Sequence, residues 1–330
     1  MNVYARDNKK MLNMLILEIL KEYTDAEHRL TQQEIIDLLK LNYGAECDRR
    51  SIRNNIRSLQ DMGYEIATER GCYLAEHDFD DAELRMLIDS VLFSKNLSGT
   101  QAKRLIEKLK GFGNRYFHAK VSHVSNLPEL FHSDNKQVML ALEVLNDAIE
   151  EKRKVSFIYN RYGTDFKLHP RRNEPYVVNP YQMVANNGRY YLIGNYDKYD
   201  DLSHYRIDRI TFITMLSEPV KSKKEVREFS KGWSLPKHMA EHIYMYSGDS
   251  VTVKFIADTD LMDELIDWFG RDIRINEESE NKMLVTLKCN ERAMKYWALQ
   301  YGGHIEIKEP QSLRETVKVA ILDMAKKYTD

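Results

Sequence analysis

The feature that most constrains this chain is a change of hydrophobic period near residue 155. Before it, apolar residues recur at helical spacing: Met11, Leu12, Leu15, Ile16, Ile19 and Leu20 in one run, then Leu84, Leu87, Ile88, Val91 and Leu92 in another. After it, KVSFIY, FKLHPRR, PYVVNPYQMVANN, GRYYLIG and HYRIDRITFITML alternate with a period of two and are separated by turn residues. Side chains return to the same face about every 3.6 residues on a helix and every second residue on a strand, so neither pattern can serve the other element. The chain therefore has a helical front and a strand-rich middle. A length of 330 residues leaves room for two or three domains.

Residues 1–76 read as three helices and a hairpin. TQQE at 31–34 is a capping box, in which the Thr31 hydroxyl accepts from a free backbone N–H and Glu34 reaches back. A third helix starts at Asp48 and stops at Gly63, and YEIATE-RG-CYLAE then turns around Arg70-Gly71 as a two-stranded hairpin. Residues 77–152, helical throughout from position 79 with Ser98 or Thr100 capping one helix, read as a helical linker that connects domains, and their long apolar faces also suit a dimer contact. Residues 153–218 hold the five short strands, and closely spaced antiparallel strands predict a small barrel. Residues 219–330 open with a polar, lysine-rich stretch that predicts a linker or an extended connection. They continue as VTVKFIA, DTDLMDELIDWFG, RDIRINE, KMLVTLKC, NERAMKYWALQYG and HIEIKEP, with a last helix from Ser312. That β-α-β-β-α-β order is the split βαβ, ferredoxin-like pattern. The expected fold class is multidomain α+β, with boundaries 1–76, 77–152, 153–218 and 219–330.

Composition narrows the partners. A hydrophobic content of 43%, a charged content of 30% and a net charge of -2 describe a folded protein with no global preference for nucleic acid, so any such preference is local. Cys47, Cys72 and Cys289 lie far apart without metal-ligand spacing, which argues against structural zinc or a disulfide framework and fits a reducing compartment. The run MLNMLILEIL is broken by Asn13 and Glu18 and carries no cleavage site, and no stretch is apolar for long enough to span a bilayer. A cytoplasmic location and no membrane partner are expected.

One local preference lies in the third helix, DRRSIRNNIRSLQDMG. Ile52, Ile56 and Leu59 form its buried stripe, and Arg49, Arg50, Arg53, Asn54 and Arg57 project from the other side. Arginine forks onto guanine or phosphate and asparagine onto adenine. In a helix-turn-helix the start of the second helix reaches base edges while the preceding helix meets the backbone. Arg49, Arg50, Ser51 and Arg53 occupy the first place, Thr31, Gln32 and Gln33 the second, and Arg70 the tip of a wing. A double-stranded operator is the expected partner.

A second preference lies on the strands. Residues 151–215 carry eleven lysines and arginines against seven acidic residues. Arginine beside aromatic faces is a recurrent means of holding a base and its phosphate. His169, Arg171, Tyr181, Tyr191, His204, Tyr205, Arg206 and Arg209 are the candidates for an effector site. Strict alternation places Arg206 and Arg209 on opposite faces unless a bend intervenes, so one of them is expected to pair with Asp208, Asp197 or an adjoining domain.

Catalytic arrangements are missing: there is no Walker A, GxSxG or HExxH sequence, and GFG at 111–113 follows a helix rather than a strand. His118, His123 and His132 match no metal spacing. The expectation is a protein that is not an enzyme and uses no cofactor or metal.

HPR at 169–171, NPYQMVANNGRYYLIGNYD at 179–197 and HYRIDRI at 204–210, in this order, resemble the WYL domain of bacterial transcription regulators, with Tyr190 in place of the signature tryptophan. The flanks are similar too, from a winged helix-turn-helix before it to YGGHIEIKEPQSLRETV in a C-terminal extension. The resemblance implies a small Sm-like β-barrel, a nucleotide or single-stranded nucleic-acid effector, and a homodimer whose effector alters operator binding. It implies effector roles for Tyr191, His204, Arg206 and Arg209, with His169 and Arg171 from the preceding strand. The alternative is an effector-sensing accessory protein of a defence or nucleic-acid-processing system.

Overall fold

The hydrophobic stripes of the first hundred residues become helices, in a computed structural model that describes residues 11–121, 135, 137–230 and 232–329. The chain divides into two units, residues 1–134 and 135–330. The first contains α1 (Leu12–Tyr23), α2 (Gln32–Tyr43), α3 (Arg49–Asp61), the short strands β1 (Ile66–Ala67) and β2 (Tyr73–Leu74), α4 (Asp81–Phe93), α5 (Gly99–Lys110) and α6 (Arg115–Val121). Ile16 and Leu20 of α1, Ile35 and Leu39 of α2, and Ile52 and Ile56 of α3 pack into one core with Cys72 and Leu74. Burying side chains of this size stabilises the fold by about 1.5–3 kcal/mol each. Both sides of the expected capping box form: Glu34 N donates to the Thr31 hydroxyl and Thr31 N to Glu34 Oε2. Gly44 then ends α2 at φ 65°, a left-handed conformation that favours glycine. Ser98 caps α5, and a second core joins Leu84 and Ile88 of α4 to Ile106 of α5 and Phe117 of α6.

The second unit opens with α7 (Val138–Glu150), followed by β3 (Arg153–Tyr162), β4 (Leu168–Pro170), β5 (Tyr176–Asn186), β6 (Arg189–Tyr196), β7 (Leu202–Arg206) and β8 (Ile210–Pro219). These strands form one antiparallel sheet in the order β4-β3-β5-β6-β7, with β8 also on β3. The sheet curls. Tyr205 of β7 meets Phe157 and Tyr159 of β3 at ring separations of 5.4 and 5.3 Å, although β7 and β3 are at separate places in the strand order. Val138, Ala141, Leu145 and Ala148 of α7 share that core, so the last helix of the stretch expected to connect domains packs against the strands instead.

Two sequence expectations are revised here. HYRIDRITFITML, read as one strand, is two, because a 3-10 turn at Ile207–Arg209 separates β7 from β8 and buries Ile207 and Asp208. The lysine-rich stretch after Pro219 is not a plain linker. Its few apolar residues, Val226, Phe229 and Trp233, turn inward onto Tyr181, Ile193 and Leu202 of the curled sheet, while Lys223 and Lys224 stay outside. This segment includes α8 (Arg227–Ser230) and α9 (Leu235–Glu241).

Beyond it come β9 (Ser250–Asp258), α10 (Met262–Phe269), β10 (Arg274–Ser279), β11 (Lys282–Asn290), α11 (Glu291–Gln300), β12 (Ile305–Glu309) and α12 (Gln311–Ala325). The sheet order is β10-β11-β9-β12, antiparallel throughout. Fully buried Trp297 of α11 anchors this core against Phe255 and Phe269.

Candidate functional site

Two groups of arginines stand out, one in each unit. On α3 the sequence places an isoleucine or leucine at positions 52, 56 and 59, and those side chains bind the helix to its core. The same periodicity turns Arg49, Arg50, Arg53, Asn54 and Arg57 outward, and all five are exposed; Ser51 is half-buried. Asp48 accepts from Ser51 N at 2.7 Å and so fixes where the helix begins. Arg49 Nη2 donates to Gln33 Oε1 at 3.2 Å, which joins the start of α3 to the start of α2. Thr31 and Gln33 are exposed and Gln32 is half-buried. Arg53 and Arg57 have no ion pair among the described residues. Arg70, at φ 58°, and Gly71, at φ 117°, turn the hairpin, and Arg70 is exposed at its tip.

On the curled sheet, the register places Tyr191 opposite Arg206 and Ile193 opposite His204. With a period of two, Arg189, Tyr191 and Ile193 on β6 share one face with Leu202, His204 and Arg206 on β7. At one end of this face the Asp208 carboxylate, 1% exposed, gathers two guanidinium groups. Arg206 approaches in a fork, Nη2 at 2.6 Å from Oδ2 and Nε at 3.0 Å from Oδ1, and Arg189 Nη1 reaches Oδ2 at 2.7 Å. Burial works against the Arg206 charge, but the Asp208 carboxylate outweighs it and raises the pKa. For Arg189, burial and then the charge of Arg206 prevail and lower it. Both groups stay charged at neutral pH.

The 3-10 turn then carries Arg209 past the end of β7, and its Nε is buried without a hydrogen-bond partner. Arg209 acts electrostatically on Tyr159, Tyr191 and Arg189, so it belongs to the same cluster. Arg171 lies over the Tyr159 ring at 4.9 Å, and Tyr159 Oη accepts from Arg206 N at 3.0 Å. Burial raises the pKa of Tyr159 and of Tyr191, with the surrounding arginines acting in the opposite direction. The assembly is cationic and contains aromatic surface, with Asp208 as the carboxylate paired inside it. It is suited to an anion carried on a planar group.

The remaining effector candidates do not join this cluster. Tyr205 is buried in the aromatic core. Tyr181 is packed against Phe229 and donates its hydroxyl to Lys221 O at 2.8 Å. His169 sits exposed on the β3–β4 hairpin beside Asp165, with Nε2 2.9 Å from Oδ1. His204 points toward the connection, where its Nε2 lies 2.8 Å from His238 Nε2. Burial, followed by the nearby His238 and His242, pushes the His204 pKa well below the ordinary imidazole value. Sequence reasoning left out Arg189 and Tyr159; the cross-strand register of RYYLIG with HYR was the signal that places Arg189 beside Arg206. His118 is exposed with Nε2 2.8 Å from Lys110 O, while His123 and His132 lie outside the described residues. Among the described residues no group of histidine, cysteine, aspartate or glutamate has the geometry of a metal site, and no helix is long and apolar enough to cross a membrane.

Residues 141–215 match the WYL domain family and residues 248–325 the WCX domain family. The first match begins inside α7, the helix that packs on the curled sheet. The chain is 21% identical over 341 residues to the uncharacterized HTH-type transcriptional regulator YobV of Bacillus subtilis (strain 168), covering 97% of this chain and 98% of that protein. Among solved structures, Proteasome accessory factor B/C (PafBC) of Arthrobacter aurescens is similar at 14% identity and a TM-score of 0.29; all of this chain is covered, and it spans 50% of that one. A CRISPR Cas-related protein is similar at 15% identity and a TM-score of 0.39, covering 91% of this chain and 78% of that one.

Proposed function

We propose, from the premise that this chain is a WYL-domain transcriptional regulator with a WCX domain, that it binds operator DNA through α3 and senses an anionic nucleotide or single-stranded nucleic acid at the barrel's arginine cluster. In this reading α1 to α3 and the β1–β2 hairpin are a winged helix-turn-helix, the curled sheet with α7 is an Sm-like barrel, and the C-terminal sheet with α10 and α11 is the ferredoxin-like extension. The protein acts in the cytoplasm and not as an enzyme.

The observation that carries the DNA reading is the exposed row Arg50, Arg53, Asn54 and Arg57 on a helix whose other face is fully committed to the core. In the complex, the α3 N-terminus enters the major groove, Arg49 is oriented by Gln33, and Arg70 touches the backbone beside the groove. A homodimer would present two such helices to a palindromic site. The exposed Ile321, Leu322 and Met324 on α12 supply apolar surface compatible with association.

For the effector, Arg209 is the group we assign to the ligand, because Arg206 and Arg189 are already held by Asp208. Arg206 is then a positioning residue, with its guanidinium on Asp208 and its backbone N–H on the Tyr159 hydroxyl. Genome-wide footprinting tests the DNA role, with discrete promoter sites expected and lost together when Arg49, Arg53 and Asn54 are replaced by alanine. Absence of such sites would favour an accessory role in nucleic-acid processing. Calorimetry with cyclic dinucleotides, mononucleotides and short single-stranded oligonucleotides tests the effector role, and binding to none of them would overturn it.

A further inference from the structure

A cavity of about 150 Å³ lies between the curled sheet and the C-terminal sheet, away from the Asp208 cluster. Its walls come from three places. β7 contributes His204, the connection contributes Trp233, His238 and Glu241, and the C-terminal sheet contributes Ser250 and Lys288. Four side-chain atoms among these are buried without a hydrogen-bond partner: His204 Nδ1, Trp233 Nε1, Glu241 Oε1 and Ser250 Oγ. A buried polar atom left unmet is destabilising, and four around one cavity are a concentrated demand for an occupant.

The protein does not meet that demand by itself. The Nε2 atoms of His204 and His238 are 2.8 Å apart, so one ring donates to the other, and His204 Nδ1 is left over in either tautomer. His242 stacks on His238 at 4.1 Å and turns its own nitrogens toward His238 O and Gly248 O. Glu241 Oε1 is within ion-pair range of Lys288 Nζ, at 3.2 Å, yet receives no hydrogen bond.

The chemistry of the unmet atoms limits what fits. Trp233 Nε1 can only donate and Glu241 Oε1 can only accept, so the occupant must both accept and donate. The walls hold cations at Arg227, Lys237 and Lys288 and carboxylates at Glu228, Glu241 and Asp249, so they offer no advantage to a ligand of one sign. The volume is below the roughly 300–1,000 Å³ of sites for drug-sized ligands, which makes a nucleotide too large. We infer that this cavity is a second ligand site, for a compact zwitterion of free amino-acid size, with its carboxylate toward Trp233 and Lys237 and its ammonium toward Glu241. A ligand held there contacts both sheets at once and so stabilises the second unit as a whole.

The test is calorimetry on the full chain with each standard L-amino acid in turn, and with acetate and ethylammonium as carriers of a single charge. At least one amino acid should bind while acetate and ethylammonium do not. Trp233→Phe, which keeps the ring and removes the N–H, should weaken that binding about tenfold or more, and Ser250→Ala should weaken it independently. Arg209→Ala should leave it unchanged, which separates this site from the arginine cluster. Thermal unfolding of each variant confirms that it is folded. If no amino acid binds, or if binding survives both Trp233→Phe and Ser250→Ala, the cavity holds only water and the inference is overturned.

Discussion

On α3, Arg53 and Arg57 extend into solvent with no ion pair among the described residues, whereas on the curled sheet Arg189 and Arg206 converge on a carboxylate that is 1% exposed. The same side chain is left exposed to solvent in one place and pinned in the other. A free guanidinium on a helix can adjust to phosphates and base edges along a groove, and it loses little on unbinding because water solvates it. A pinned guanidinium has already lost its freedom, so it orders the wall around it at little further cost. The difference teaches that counting arginines does not identify which of them recognise anything; their partners do.

The most severe way to break this comparison is to remove the pin. Asp208→Ala leaves Arg206 partly buried without the carboxylate it forks onto and should destabilise the second unit by about 3–5 kcal/mol, read by denaturant unfolding. Arg53→Ala on α3, by contrast, should change stability by no more than about 0.5 kcal/mol. Equal effects at the two sites would erase the distinction between them. Next in size is Arg209→Ala, which should weaken binding of whichever nucleotide or oligonucleotide probe is found by about 1.5–3 kcal/mol with little change in unfolding midpoint, by calorimetry.

A smaller effect sharpens the picture at the other end of the β6–β7 face. Burial and then the charge of His242 push the His238 pKa down to about 3, and His204 is lowered in the same direction. These rings are neutral in the folded protein, while the unfolded chain takes up protons below about pH 6.5. Stability is therefore fully present above that pH and is lost as pH falls toward the folded values. Between pH 6.5 and 5, before carboxylates titrate, His238→Gln should flatten the decline seen in urea unfolding. An unchanged slope would mean that the histidines are not held neutral. The smallest effect is on the capping box, where Thr31→Ala should cost about 1 kcal/mol in the first unit and leave the curled sheet untouched, seen by hydrogen exchange.

Much of this was legible in the sequence. Helical stripes such as Ile52, Ile56 and Leu59, the Thr31 capping box and the period-two runs each state their element locally, and the structure contains them. The outward arginines of α3 were equally legible, because on a helix the face opposite a buried stripe is determined by spacing alone. The arginine cluster of the curled sheet was harder to read. Alternation placed Arg206 and Arg209 on opposite faces, and the sequence did not reveal that Ile207–Arg209 forms a 3-10 turn that ends the alternation. Tyr205 and Tyr181 looked like ligand contacts because tyrosine serves core and site alike, and only the curl of the sheet decided for core and seam. His238 was invisible as a partner of His204, since the connection's path over the curled sheet depends on a few inward side chains among many lysines.

The division of labour between the two arginine clusters is tested most directly by the salt dependence of operator affinity, measured for the native chain, for Arg50→Ala/Arg53→Ala/Arg57→Ala, and for Arg209→Ala. Each phosphate contact adds about 0.9 to the slope of log K against log salt. The α3 variant should lose about two to three units of slope together with most of its affinity, while Arg209→Ala should keep the native slope in the absence of effector. A slope that collapses in Arg209→Ala and persists in the α3 variant would instead place the DNA on the curled sheet.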